Sequence, residues 1–336
     1  MSEMNNRIVK VSAPGRLHLG FLDLHGGLGR LFGSMGLCLD DISTDIEAIH
    51  ASELLISGPG SHRAQKYAER LLGHLNIRSG LKMNIHKAIP EHAGLGSGTQ
   101  MALAVGTAIS RLFDVNLSLP AIARILDRGN RSGIGIGAFA SGGFIVDAGR
   151  SAATEMPPIV SNLHFPDSWR VVLVLDKLHQ GVHGEEESQA FGKLAKMDEI
   201  VSANLCRLLV MQILPSIVER DCGLFGAAIT EVQAQMGEYF KTIQSGVYAS
   251  TAVGNVLAQF SQLAATGVGQ SSWGPTGFAL YASETDAYQA LKEVRRNWQG
   301  NSELELVICQ ARNEQAKVEV QENQNNDVNI SVSGQV

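Results

Sequence analysis

Along the first third of the chain, apolar and polar positions follow one another in short bursts broken by turn residues. Arg7–Ser12, Leu17–Leu22, Met35–Leu39, Thr44–Ile49 and Leu54–Ser57 read as strands, punctuated by Pro14-Gly15, Gly26-Gly27 and Gly58-Pro59-Gly60. The period then lengthens: Tyr67, Leu71 and Leu75 recur every four residues and predict a helix from Ala64 to Leu75. Alternation returns over Leu81–Ile89, with Met83 and Ile85 set against Lys82 and Asn84. A helix starting at Ser97 or Thr99 and ending near Phe113 follows, its apolar stripe being Ala102, Val105, Ile109 and Leu112; another covers Leu119–Arg128. The glycine-rich passage from Arg131 to Gly149 ends in a strand, Gly143–Asp147.

Pro157, Pro158 and Pro166 mark Ala152–Trp169 as the boundary between two halves. Beyond it the pattern predicts a strand at Arg170–Leu175, helices over much of Met197–Tyr239 and Asn255–Thr266, and a strand at Gly277–Ala282. A helix, Glu284–Trp298, and a strand, Leu304–Cys309, complete it. Ser283 and Asp286 form an acidic capping box before that helix. The order of elements predicts an α+β chain of two domains, 1–160 and 161–312, followed by a tail, 313–336, expected to be mobile because it is rich in Glu, Gln and Asn.

A length of 336 residues with 44% apolar content suits two packed domains around a cleft. A net charge of −6 excludes a general nucleic-acid binder but leaves room for a local cluster of donors around a small phosphorylated substrate. Cys38, Cys206, Cys222 and Cys309 are scattered without a CxxC pair, so reduced thiols are expected. The opening MSEMNNRIVKV lacks a signal-peptide pattern, and no uninterrupted apolar run approaches the roughly 20 residues of a membrane span; a cytoplasmic protein without a membrane partner is expected.

Chemistry concentrates in three glycine-punctuated segments. In Pro90–Gln100 a strand ends, glycines stand at positions 94, 96 and 98, and an amphipathic helix begins. Such a turn lets backbone N–H groups meet an oxyanion at a helix N-terminus. Gly94, Leu95, Gly96, Ser97, Gly98, Thr99 and Gln100 are therefore the candidate phosphate site, although a tight turn with Ser97 as simple N-cap reads equally well in isolation. The Lys of a Walker loop is missing. The other two segments are Ala13–Gly20, with Arg16 and His18, and Gly267–Gly277, with Gln270, Ser271, Ser272 and Trp273. In His179–Glu187 two His residues stand four apart, but Gly181 and Gly184 favour a loop over a zinc-binding helix.

In this order the segments resemble the GHMP kinases, whose central motif Pro-x3-Gly-Leu-x-Ser-Ser is matched by Pro90, Gly94, Leu95 and Ser97, with Gly98 in place of the second Ser. The resemblance implies an N-terminal ribosomal-protein-S5-like domain and a C-terminal ferredoxin-like domain. GLGSGTQ, RSGIGIGAFASGGFIVDAG, GQSSWGPTGFAL and LHLGFLDLHGGLGRLFGSMGLCL further resemble the β-ribofuranosylaminobenzene 5'-phosphate synthases, the branch of that superfamily that is not a kinase. That resemblance implies condensation of phosphoribosyl pyrophosphate with 4-aminobenzoate, or 4-hydroxybenzoate, with loss of pyrophosphate and carbon dioxide on the way to tetrahydromethanopterin. It further implies Mg²⁺ with the pyrophosphate. A small-molecule kinase using ATP is the alternative.

Under this reading Asp23, Arg131 and Gln270 are candidate catalytic residues, and Arg16, His18, Ser271, Ser272, Trp273, His183 and Glu185 candidate substrate ligands. Ser97 and Glu186 are candidates for the metal. Trp273 is suited either to stack on the benzoate ring or only to pack, and Asp23 either to hold substrate or to stabilise a turn. Bulky Gln270 and Trp273 stand where kinases carry mostly small residues, which is expected to reshape an ATP pocket. A homodimer is expected by default.

Overall fold

The computed structural model describes residues 7–179, 181, 184–244, 246–298 and 303–322, without the side chains of 184–188. Its first layer is built on a long antiparallel pair, β1 (Arg7–Asp23) and β2 (Phe32–Ala51). Pro14-Gly15, which reads as a turn, is instead a bulge: the strand continues with a register shift between Pro14 and Arg16, and a second shift falls between His18 and Gly20. Gly20 has φ +136°, and a side chain there would stand 3.0 Å from Val232.

The sheet continues with β3 (Leu55–Ser57) and β4 (Gly80–Lys87), while β5 (Phe144–Asp147) pairs with β2 and β6 (Ile159–Leu163) with β5. β6 lies inside the proline-rich stretch read as a boundary, so the first layer extends to Leu163. The helices here are α1 (Ser61–His74), α2 (Ser97–Leu112), α3 (Leu119–Ile125) and α4 (Ile134–Ala140). α2 is buried on every side from Gln100 to Ser110, so its expected stripe is a whole circumference, as suits a central helix rich in Ala and Gly.

The second layer is a four-stranded antiparallel sheet ordered β10-β7-β9-β8: β7 (Arg170–Asp176), β8 (Gly267–Gln270), β9 (Gly277–Tyr281) and β10 (Leu304–Cys309). Its helices are α5 (Gly184–Lys193), α6 (Glu199–Leu208), α7 (Leu214–Glu219), α8 (Cys222–Gln244), α9 (Thr251–Gln262) and α10 (Glu284–Asn297). A π turn, Leu209–Ile213, joins α6 to α7. By length and composition the joined helix Glu199–Glu219 is apolar enough to cross a bilayer; its Leu205, Leu209, Ile213 and Ile217 stripe packs into the core. One apolar cluster runs through both layers, from Leu17, Leu37 and Phe144 to Val171, Phe225 and Phe278. All four cysteines are free.

The expected mobile tail is corrected in part. Lys317–Glu322 forms β11, antiparallel to β1 in a register running from Arg7 opposite Glu322 to Ser12 opposite Lys317. The alternation of Val318 and Val320 with Lys317, Glu319 and Gln321 is an edge-strand pattern hidden in a polar composition.

Candidate active site

The cleft forms where the turn before α2 meets the β8–β9 loop. Gly94 and Gly96 take φ of +78° and +85°, and a side chain on Gly94 would lie 2.4 Å from the Ser271 carbonyl. Gly96 caps α2 without any side-chain hydrogen bond, and among the described residues no group accepts from the amides of Ser97, Gly98 and Thr99. These donors, at the positive end of a 16-residue helix, face the cleft.

Guanidinium groups close the cleft from different elements. Arg16 of β1 binds the turn, its N–H donating to the Leu95 carbonyl at 3.1 Å and its Nη1 to the Gly94 carbonyl at 2.6 Å. Arg63 of α1 donates from Nη1 to Ser97 Oγ at 3.3 Å and pairs with Glu91 at 3.2 Å. Arg128, just after α3, donates to the Tyr67 hydroxyl at 2.7 Å and lies 5.3 Å from the centre of that ring. A methyl group on Gly98 would stand 3.7 Å from Nη1 of both Arg63 and Arg128. The space between them, about 270 Å³, is lined by Arg16, Arg63, Arg128, Ser97, Thr99 and Trp273. Such a set of helix amides and forked cations binds a polyanion. Arg63 and Arg128 lie far from the turn in sequence, and neither was among the candidate residues.

The opposite wall corrects several expectations. Gln270 is a buried brace rather than a catalytic group: its Oε1 accepts from the Ala249 N–H at 2.7 Å and its Nε2 donates to Gln244 Oε1 and the Ser272 carbonyl. Ser271 is fully buried and bonded at both ends, donating to the Gly94 carbonyl at 2.7 Å and accepting from the His18 N–H at 3.0 Å, so it ties the segments together and does not face the cleft. Gln100 turns away from the cleft to donate to the Gly135 carbonyl at 2.7 Å. Ser272, with φ +56°, donates its N–H to the His18 carbonyl and borders the cleft. Trp273, ahead of the cis Gly274–Pro275 bond, packs against Phe240 and Phe191 with ring centres 4.4 and 5.3 Å apart while still lining the cleft.

Arg131 does not line the arginine cleft; its guanidinium lies 5.0 Å over Phe191, the ring that packs on Trp273. Its segment is anchored by buried Asp147, which accepts from Ser132 Oγ, the Gly133 and Gly149 amides and Ser34 Oγ. Burial pushes the Asp147 carboxyl up despite these donors. Asp23 takes the turn-holding role, its Oδ1 accepting from the amides of His25 and Gly26 at 2.8 Å. His183 lies outside the described residues, as do the side chains of Glu185 and Glu186, although α5 begins at Gly184 where a loop was expected. Gly181 borders the cleft, its N–H donating to the His92 carbonyl at 2.9 Å. His18 is buried against Phe21, its pKa lowered to about 3 by burial first and the Arg16 charge second. Ser97 Oγ faces the Arg63 guanidinium, a poor place for a cation, and no cluster of three His, Cys, Asp or Glu exists among the described residues.

This fold and cleft define a class. Residues 62–143 match the GHMP kinases N terminal domain and residues 213–300 the GHMP kinases C terminal domain. Homoserine kinase from Cytophaga hutchinsonii superposes with a TM-score of 0.63 at 15% identity, covering 95% of this chain and 99% of that one. Mevalonate diphosphate decarboxylase from Staphylococcus aureus gives 0.64 at 13%, covering 93% and 98%. At these identities the likeness is one of fold. Beta-ribofuranosylphenol 5'-phosphate synthase from Archaeoglobus fulgidus is 32% identical over 332 residues, covering 93% of this chain and 100% of its own. The enzyme of the same name from Methanocaldococcus jannaschii is 30% identical over 300 residues, covering 80% and 88%. The chain belongs to this synthase family.

Proposed function

We propose that the protein transfers the 5-phosphoribosyl group of phosphoribosyl pyrophosphate to the carboxylate-bearing ring carbon of 4-hydroxybenzoate or 4-aminobenzoate, releasing pyrophosphate and carbon dioxide in methanopterin biosynthesis. The observation that carries the reading is the cleft itself: Arg16, Arg63, Arg128 and the unengaged amides of Ser97–Thr99 on one side, Trp273 on the other. A diphosphate matches the first wall and a flat ring the second.

The bond from the anomeric carbon to pyrophosphate breaks with its electrons leaving on the pyrophosphate, where the guanidinium groups and the α2 N-terminus stabilise the growing charge. The ring carbon supplies the new C–C bond, and the carboxylate leaves as carbon dioxide, returning its electron pair to the ring. Protons balance without a general acid or base, so orientation and charge stabilisation suffice. Among the described residues no three His, Cys, Asp or Glu side chains cluster to hold Mg²⁺, and the arginines would repel it; a magnesium ion would come with the pyrophosphate and share the neutralising of its charge.

Incubation with phosphoribosyl pyrophosphate, Mg²⁺ and each carboxyl-labelled benzoate separately should release labelled carbon dioxide and pyrophosphate in equal amounts. Failure with both benzoates, together with ADP formation from ATP and a small alcohol, would replace the synthase reading with a kinase.

A further inference from the structure

Beside the arginine cleft lies a second, much smaller space of about 30 Å³, bordered by His18, Phe21, Met236, Phe240, Ser272 and Trp273. It has room for one water-sized polar group and not for a ring. Ser272 and Trp273 line both spaces, so the small one lies just behind the wall that faces the cleft.

The polar groups around it are nearly all engaged. Gln233 donates to the Leu19 carbonyl and accepts from the Gln270 N–H. Gln244 donates to the Val247 carbonyl and accepts from Gln270 Nε2. His18 differs: only 4% exposed, it has a buried Nε2 with no hydrogen-bond partner among the described residues. Its backbone is held at both sides, the N–H donating to Ser271 Oγ and the carbonyl accepting from the Ser272 N–H, and its ring packs on Phe21 with centres 4.7 Å apart. A buried, unpartnered imidazole nitrogen beside a water-sized hole costs stability unless a ligand group completes it.

We propose that His18 is a specificity-determining residue that accepts a hydrogen bond from the para hydroxyl or amino group of the benzoate, that group occupying the small space while the ring lies along Trp273. The assignment rests on the synthase reading above and adds the place and partner of the para substituent. In the neutral imidazole a proton on Nδ1 leaves the buried Nε2 as the acceptor. The imidazole stays neutral near pH 7, as an acceptor must. Hydroxyl and amino substituents both donate, so His18 separates these from substituents that cannot, rather than from one another. Accepting that proton also enriches the ring para to it, at the carbon that must attack.

The test is calorimetric titration of the wild-type, His18→Phe and His18→Gln proteins, each with Mg²⁺ and pyrophosphate, using 4-hydroxybenzoate, 4-methoxybenzoate and unsubstituted benzoate. The wild type should prefer 4-hydroxybenzoate to benzoate by about ten- to a hundredfold. His18→Phe should bring that ratio to about one, and His18→Gln, whose Oε1 can still accept, should restore part of it. The KM for phosphoribosyl pyrophosphate should stay within about twofold in both variants. A wild-type ratio near one, or an undiminished ratio in His18→Phe, overturns the role of His18 while leaving the transferase reaction standing. Absence of binding by every benzoate overturns both.

Discussion

Replacing Gly98 by Ala should separate stability from function. Gly98 sits in the first turn of α2 at ordinary helical geometry, and the nearest atoms to a new methyl group would be the Arg128 and Arg63 Nη1 atoms at 3.7 Å, an ordinary contact. No clash opposes the change, and Ala gains up to about 1 kcal/mol over Gly in a helix, less near its end. The melting temperature should hold or rise by about 1 °C. The methyl group, however, occupies the point on which the two guanidinium groups converge, where a phosphate oxygen would sit. Losing one well-placed charge-assisted contact costs about 1.5–3 kcal/mol, so the KM for phosphoribosyl pyrophosphate should rise roughly ten- to a hundredfold. Thermal unfolding and initial-rate kinetics, with each substrate varied in turn, read out the two effects. A lowered melting temperature would refute the packing argument; an unchanged KM would refute the placement of the diphosphate.

Other consequences follow from the same geometry. Arg128→Ala should raise the KM for phosphoribosyl pyrophosphate by about ten- to a hundredfold and flatten its dependence on salt, whereas an unchanged KM would remove Arg128 from the site. Ser271→Ala leaves the Gly94 carbonyl and the His18 amide each short of a buried partner. It should cost about 2–3 kcal/mol and lower the melting temperature by roughly 3–4 °C; a melting curve superimposed on the wild type would show that the three loops are held otherwise. His18 also sets a pH dependence. Its folded pKa is depressed from 6.5 to about 3, so the stability it contributes is complete above 6.5 and is lost as pH falls toward 3. The loss is about 1.4 kcal/mol per pH unit in that window. Denaturant titrations between pH 7 and 4 should therefore fall less steeply for His18→Gln, and parallel slopes would count against it.

Much of this was readable from residue patterns, and the failures have physical causes. The helix over Ser97–Leu112 and the phosphate turn follow from glycine spacing and apolar period, both local properties. The break expected at Pro14-Gly15 did not occur, because a bulge lets a strand carry Pro at its kink. α4 was masked by its glycines, which serve close packing: a side chain at Gly135 would stand 2.9 Å from Thr99, and one at Gly137 the same distance from Ile145. Side-chain direction was the largest gap. Gln100, Gln270 and Ser271 stand in the right segments but point into the scaffold. Arg63 reaches Gly98 from α1 and Arg128 from the loop after α3, and sequence separation carries no sign of that convergence.

The pairing of β11 with β1 has a consequence for biogenesis. β11 follows the whole second layer in the chain, so the Arg7–Ser12 edge of the sheet stays open while that layer emerges from the ribosome. Neither half is an independent unit of expression: a chain cut near the middle would present the Arg7–Ser12 edge, bare of its neighbour, to other chains.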